Sequence, residues 1–368
     1  MYPSTKGKTK PILMKTPIAA LFSILCLTGT SQIFDSLAWA DEFNVDGGLD
    51  SAKWWHQTIL PNNGQSWWNG EIQHYTNRDT NSYCENGYLY LTALKETFTD
   101  QSVTKDYTSA RLNSKFAFTY GRVEVRAQLP TGAGTWPAIW MLGQNIYEIG
   151  AWWDTQGYAS QYWPQCGEID IMEHWGDNQD YVSSAMHTLS SYGGTINVAG
   201  RSIPGVSTSF HTYAVEWTPT KMVFSVDSIV HYTYEPTDRT SFTWPFDNPQ
   251  YLLLNIAIQS NIDANFTSSP MILDYVRVYQ SSTLSDEELE YRSITIYPNP
   301  AKEAIKVRQP WSKAEIIIYD LKGTALLEHS LKVGDSNIDV SSLPAGSYMC
   351  KIVNLETGSF TEEKIIKL

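Results

Sequence analysis

Cysteine, positive charge and helical periodicity are all scarce in this chain. Of four cysteines in 368 residues, Cys26 falls in an N-terminal apolar run, leaving Cys84, Cys166 and Cys350. No His/Cys spacing matches a zinc site. A Cys84–Cys166 bridge and two free buried thiols both stay open. Lysine and arginine number 26 against 39 acidic residues, a net charge of −13. Nothing resembles a basic stripe, which argues against nucleic acid as a partner. The apolar run "PIAALFSILCLTG" is too short for a membrane span. Between Phe43 and Tyr279 a period of 3.6 is almost absent, which leaves little room for helices.

What the chain does have is a leader, many aromatics and many strands. Lys6, Lys8, Lys10 and Lys15 precede the apolar run, and "AWA" at 38–40 offers small residues before Asp41. Residues 1–40 therefore read as a signal peptide, excluded from the fold. Tryptophan (14) and tyrosine (22) are abundant, and exposed aromatic rings on a polar surface suit the C–H faces of sugars. "RVEVRAQL" (122–129) and "MILDYVRVYQ" (271–280) alternate, and 221–234 reads as a hairpin turning at Asp227-Ser228. "YLLLNIAIQ" (251–259) sets Leu252, Leu254, Ile256 and Ile258 on one face, with Asn255, Ala257 and Gln259 on the other. Such strands over residues 41–280 predict an all-β two-sheet sandwich. Residues 281–293 read as a polar linker, and 294–368 as a second, small β domain.

The densest chemistry lies in "GEIDIMEHWG", where Glu168, Asp170 and Glu173 fall within six residues. A regular strand would turn Glu173 away from the other two, since side chains alternate. On a helix Glu168 and Glu173 would stand roughly 140° apart. A β-bulge at Ile171-Met172 absorbs the extra residue and sets all three carboxyls on one face. A solvated acidic strand or a cation-holding cluster is the plain alternative for an isolated hexapeptide of this kind.

Residues 41–280 closely resemble glycoside hydrolase family 16, and within it laminarinase-like endo-β-1,3-glucanases. The matching text, in the family's order, is "YTSARLNSKFAFTYGRVEVRAQLP", "GTWPAIWMLG", "CGEIDIMEHWG", "FHTYAVEWTP", "WPFDNPQYLLLNIAI" and "LDYVRVYQ". Residues 294–368, with "YPNP" and "LPAGSYMCKI", resemble the C-terminal sorting domain of type IX secretion. Together these imply a β-jelly roll (concanavalin A-like) with a concave sugar cleft, and export to the cell surface or beyond.

The resemblance also implies roles. Retaining glycosidases use two carboxyls about 5–5.5 Å apart, one nucleophilic and one protonated. Glu168 would be the nucleophile and Glu173 the general acid, then base. Asp170 between them would share a proton or hydrogen bond with Glu168, and its charge would keep Glu173 protonated. Trp136, Trp140 and Trp175 would line the cleft, with His187 at its centre. Asn69, Arg111 and Asn255, and more weakly Glu71, would hydrogen-bond sugar hydroxyls. No cofactor is needed for catalysis. A structural Ca²⁺ would sit on the convex face at Glu42, Gly87 and Asp274, where oxygen ligands suit it. One departure stands out: "LNIAIQSNIDANF" lacks the Gly-Gly-x-Trp that commonly follows "LNIA", and Gln259 enters instead.

The expected activity is secreted, endo-acting, retaining hydrolysis of laminarin-like β-1,3-glucan by a monomer. Mixed-linkage β-1,3-1,4-glucan is the alternative within the enzyme class, and agar- or carrageenan-type galactan a more distant one. A non-catalytic glucan-binding lectin would be expected to lose Glu168 or Glu173, and both are present. A cation-binding adhesive domain fits a tryptophan-rich surface poorly.

Overall fold

The computed structural model describes residues 34–281, 294–355 and 360–368. The expected leader up to residue 33 and nearly all of the expected linker lie outside the described residues. Two sheets, antiparallel except where His74–Tyr75 pairs parallel with Val103–Ser109, face each other across residues 36–280. The larger, ten-stranded sheet runs along a path from Ile229–Tyr234 through Gly121–Gln128 and Ser268–Gln280 to His74–Tyr75. The seven-stranded sheet has the order Val198–Ser202, Tyr181–His187, Glu168–His174, Thr135–Gly143, Gln250–Ile258, Arg111–Phe118, Trp54–His56. Among the described residues the one α-helix is the single turn Trp152–Thr155. This is the expected β-jelly-roll sandwich.

Alternation decides which faces meet. Val123, Val125 and Ala127 of Gly121–Gln128 enter the shared core, as do Leu252, Leu254, Ile256 and Ile258 of Gln250–Ile258. Each is at most 1% exposed, so burial of about 25 cal/mol per Å² of apolar surface is nearly complete at each. Opposite residues of the same strand, Asn255 and Ala257, point the other way, into a cavity. The hairpin between Met222–Val226 and Ile229–Tyr234 turns at Asp227 (φ 51°) and Ser228 (φ 65°), the two left-handed residues that match strand twist in tight hairpins.

Two points from the sequence meet the structure here. Residues 36–40, assigned to the leader from the sequence, belong to the sheet. Ser36–Asp41 pairs antiparallel with Ser268–Gln280, from Ser36 opposite Gln280 to Asp41 opposite Val276. Trp39 stacks on Phe116 with ring centroids 5.6 Å apart and meets Trp54 edge-on at 5.4 Å. The small residues of "AWA" satisfied a cleavage pattern, but Trp39 also completes an aromatic cluster. The cysteines are settled as well: Cys84, Cys166 and Cys350 are all free and buried.

Residues 294–368 form a separate β unit of a three-stranded and a four-stranded sheet. Its own core gathers Ile305, Val307, Trp311, Ile316, Ile318, Cys350 and Ile352, so it has the makings of an independent domain.

Candidate active site

A cavity of ≈ 480 Å³ opens on the outer face of the seven-stranded sheet, lined by Glu168, Asp170, Glu173, Trp136, Trp140, Arg111, Asn255 and neighbours. Its chemistry begins with a break in strand register. Against Tyr181–His187, residues Glu168 to Asp170 pair in step with His187 to Ala185; the register then slips before Glu173 meets Ser183. Against Thr135–Gly143 the slip falls between Asp170 and Met172. Ile171 and Met172 are both buried in the core, which is how the bulge takes up one residue. Glu168, Asp170 and Glu173 are thereby returned to one face, all three on the cavity.

Each outer carboxylate is held by its own indole. Trp136 Nε1 donates to Glu173 Oε1 at 3.1 Å, and Trp163 Nε1 donates to Glu168 Oε2 at 3.1 Å. His187 Nε2 lies 3.1 Å from Asp170 Oδ2 and 3.5 Å from Glu168 Oε1. The Gly193 N–H donates to His187 Nδ1 at 3.1 Å. That bond requires a lone pair on Nδ1, so the neutral ring carries its proton on Nε2, toward the carboxylates. Asp170 Oδ2 is buried without a well-aimed hydrogen bond, so the short His187 distance is an electrostatic contact. Buried carboxylate oxygens lacking donors favour protonation.

The electrostatics agree. Burial, then the Asp170 charge, raises the Glu168 carboxyl well above its ordinary range, while His187 and Trp163 pull the other way. Burial likewise raises Asp170. Glu173 is pushed up to about 8, by burial first and the Asp170 charge second, against the Trp136 hydrogen bond and His187. A carboxylic acid that keeps its proton at neutral pH can act as a general acid. Glu168, Asp170 and His187 also bring ligand atoms within 4.8 Å of one another, the one such group among the described residues that could hold a metal ion. Protonated carboxyls are poor cation ligands, so the proton-sharing arrangement suits acid–base work better.

Beyond the trio, the sequence-derived residues divide into two sets. Trp136 and Trp140 both face the cavity from Thr135–Gly143, with Trp140 opposite Asp170 and Ala138 opposite Glu173. Trp175 stacks on Trp136, centroids 5.9 Å apart and planes 22° apart. Asn69 lines the cavity from a turn where its own φ is 57°. Arg111, Asn255 and Glu71 reach the cavity too, but their groups mostly hold other side chains. Asn255 accepts from Trp140 Nε1 at 2.7 Å and donates to the Tyr75 hydroxyl at 3.1 Å. Tyr75 in turn donates to Glu71 Oε2 at 2.8 Å. The Arg111 guanidinium lies 4.7 Å from the Trp140 ring and donates to Glu148 at 2.7 Å and to Gln57 at 3.0 Å. These residues fix the Trp140 plane, so part of their sugar-binding role is indirect.

The sequence did not single out Trp163, Glu148, Tyr147 or Tyr162. All four come from residues 144–167 and line the cavity, with Tyr147 and Tyr162 rings 4.9 Å apart. Glu148 Oε2 is buried without a hydrogen-bond partner, although the residue lines the cavity. An acid between Tyr147 and Ile149, and a tryptophan five residues before Glu168, were the available signals.

The expected calcium ligands are near one another only in backbone register. Ser268–Gln280 leaves its partner Tyr88–Asp100 at Leu273, opposite Leu89, and meets Ser36–Asp41 at Val276, opposite Asp41. Asp274 falls in that gap, with Glu42 and Gly87 just beyond the ends of the two partners. Their carboxylates are engaged elsewhere: Asp274 pairs with Arg126, and Glu42 takes both Arg277 nitrogens at 2.7 and 2.8 Å.

Comparison with known proteins agrees with this geometry. Residues 69–276 match the model for glycosyl hydrolases family 16, and residues 295–367 match a secretion system C-terminal sorting domain. A β-glucanase of Rhodothermus marinus is 40% identical over 266 residues, covering 66% of this chain and 85% of that protein. The crystal structure of LamA from Z. galactanivorans with laminaritriose and laminaritetraose matches with TM-score 0.63 and 44% identity, over 67% of this chain and 100% of that one. SCLam, a non-specific endo-β-1,3(4)-glucanase, matches with TM-score 0.60 and 35% identity, over 68% of this chain and 96% of that one. With the family model spanning more than half of its length and a bulged acidic strand at the floor of its cavity, the chain belongs to glycosyl hydrolases family 16 and carries a C-terminal sorting domain for secretion.

Proposed function

We propose that this glycoside hydrolase is exported through its sorting domain and cleaves β-1,3-glucan internally, with retention of anomeric configuration. Glu168 attacks the anomeric carbon while Glu173 gives its proton to the departing glycosidic oxygen; Glu173 then takes a proton from water, whose oxygen displaces Glu168. Asp170 shares a proton with Glu168 and keeps Glu173 protonated, and His187 steadies the charge that forms between them. The observation that carries this assignment is the register slip between Asp170 and Glu173, which turns three carboxyls into one cavity.

A neutral glucan is favoured by the lining. Arg111 is the one cationic side chain on the main cavity, and its charge is matched by Glu148. Anionic galactans would call for free positive charge. Mixed-linkage glucan is a second substrate on the strength of the likeness to SCLam. We also propose a structural Ca²⁺ at the Asp274 gap, held by the Asp274 carboxylate and main-chain oxygens of Glu42 and Gly87; binding would require Arg126 to release Asp274.

The test is to incubate the secreted protein with laminarin, lichenan, agarose and carrageenan and follow the products by NMR. Release of β-configured laminari-oligosaccharides, abolished in Glu168→Gln, is expected. Intact laminarin beside degraded lichenan would overturn the substrate, and a fully active Glu168→Gln would overturn the mechanism.

A further inference from the structure

A second cavity of ≈ 480 Å³ lies beside the first, lined by Asn69, Trp175, Asp177, Asn178, Gln259 and Asn261 among others. The two cavities share Asn69. Between them stands the stacked pair Trp136 and Trp175, of which Trp136 faces the first and Trp175 the second. The pocket therefore adjoins the catalytic cavity at the Glu173 end of the acidic strand.

The pocket is preformed. Strands Glu168–His174 and Gln250–Ile258 both run antiparallel to Thr135–Gly143, so they end on the same side and deliver their following loops together. Gly176 N–H donates to Thr135 O at 2.9 Å and Gln259 N–H to Gly134 O at 2.9 Å, tying both loops to one turn. A Cβ at Gly176 would lie 1.9 Å from Gly132 O, so only glycine allows that approach. Asn178 N–H closes on Trp175 O at 2.8 Å, and Asn261 Nδ2 donates across to Asp177 Oδ2 at 3.5 Å.

Its chemistry is that of a neutral polyol site. Side-chain amides at Asn69, Asn178, Gln259 and Asn261 offer both donors and acceptors, as a sugar's hydroxyls require. An indole supplies one wall. The only charge in the lining is Asp177, which disfavours sulfated or carboxylated groups. In a β-1,3-glucan the exocyclic C6 hydroxyl is the free position that gains an extra rotatable bond of reach.

We infer that this lateral pocket receives a single glucosyl substituent carried on O6 of the main-chain glucan, so that the enzyme cuts branched polymer beside a branch point. The segment after "LNIA", Gln259 to Asn261, builds one polar side of the pocket. The inference rests on the β-1,3-glucan substrate proposed above.

The test compares kcat/KM on matched β-1,3-gluco-oligosaccharides with and without one 6-O-glucosyl branch. Asn261→Trp fills the pocket and Asn178→Ala removes a polar group without adding bulk; neither residue touches the acidic trio. The wild type should cut the branched compound nearly as well as the linear one. Asn261→Trp should keep linear activity and lose about tenfold or more on the branched substrate, with Asn178→Ala losing a smaller part. Equal activity of Asn261→Trp on both substrates would overturn the inference, as would poor cleavage of branched substrate by the wild type. Unchanged thermal melting and linear activity rule out misfolding as the cause. Failure of the wild type on linear β-1,3-glucan would instead overturn the substrate assignment itself.

Discussion

Removing the central charge of the trio gives the sharpest check of how the site works. In Asp170→Asn, shape and burial are nearly kept and one negative charge is lost. Its carboxylate approaches Glu168 within 4.8 Å, where two unit charges interact by about 3.5 kcal/mol at an effective dielectric of ~20. That is a ceiling of about 2.5 pKa units on Glu168, and proton sharing within the trio reduces it to roughly 1–2. The sign follows from the charge: without Asp170⁻, the ionised form of each neighbour is less disfavoured, so both pKa values fall. The acidic limb of kcat/KM, set by the need for ionised Glu168, should move acidward by that amount. The alkaline limb, set by protonated Glu173, should move the same way, since Asp170 is the second cause of its elevation after burial. The assay is a pH–rate profile on soluble laminarin, from about pH 4 to 10, with the optimum rate reduced by ~10–100-fold. An alkaline limb that stays put, or moves upward, would refute the idea that Asp170 holds the proton on Glu173.

Three further outcomes follow from the same geometry. Glu168→Gln should stabilise the fold with rising pH: the native carboxyl has its pKa raised above the unfolded value, so the wild type loses stability from about pH 4.5 upward, until the native pKa is passed. The gain in melting temperature should be near zero at pH 4 and on the order of 2 kcal/mol, or roughly 4–8 °C, at pH 8; a constant difference across pH would contradict it. Arg111→Ala should destabilise by about 3–5 kcal/mol in chemical denaturation, because Glu148 and Gln57 lose a buried partner, and a change below ~1 kcal/mol would show that the Trp140 support is dispensable. Added EDTA should lower the melting temperature if calcium occupies the Asp274 gap, with Asp274→Ala abolishing the response; a melting curve indifferent to EDTA would remove the ion from consideration.

Much of the framework was legible because alternation is a local signal. Leu252 to Ile258 announced both faces of a strand, and the extra residue between Asp170 and Glu173 announced its own bulge, since no regular geometry reunites the three acids. Other features were hidden because they depend on distant partners. Arg111 and Asn255 looked like sugar ligands, yet Asn255 accepts from Trp140, 115 residues away in sequence, and Arg111 lies over the Trp140 ring while donating to Gln57 and Glu148. Trp163 and Glu148 sit in an irregular stretch with no periodicity to read, and only folding carries them to Glu168 and to Arg111. The leader boundary rests on a short residue pattern, "AWA", whereas the aromatic surroundings of Trp39 come from residues far along the chain.

The strand Ser36–Asp41 bears on how the precursor is trimmed. Beyond Leu273 it supplies the neighbour that Tyr88–Asp100 no longer provides. A peptidase cutting after Ala40 would strip that neighbour away, leaving a bare row of amides and carbonyls along residues 276–280 and two aromatic rings without their cover. Such an unguarded margin invites self-association. A form starting at Asp41 would lack this strand and inherit a sticky seam.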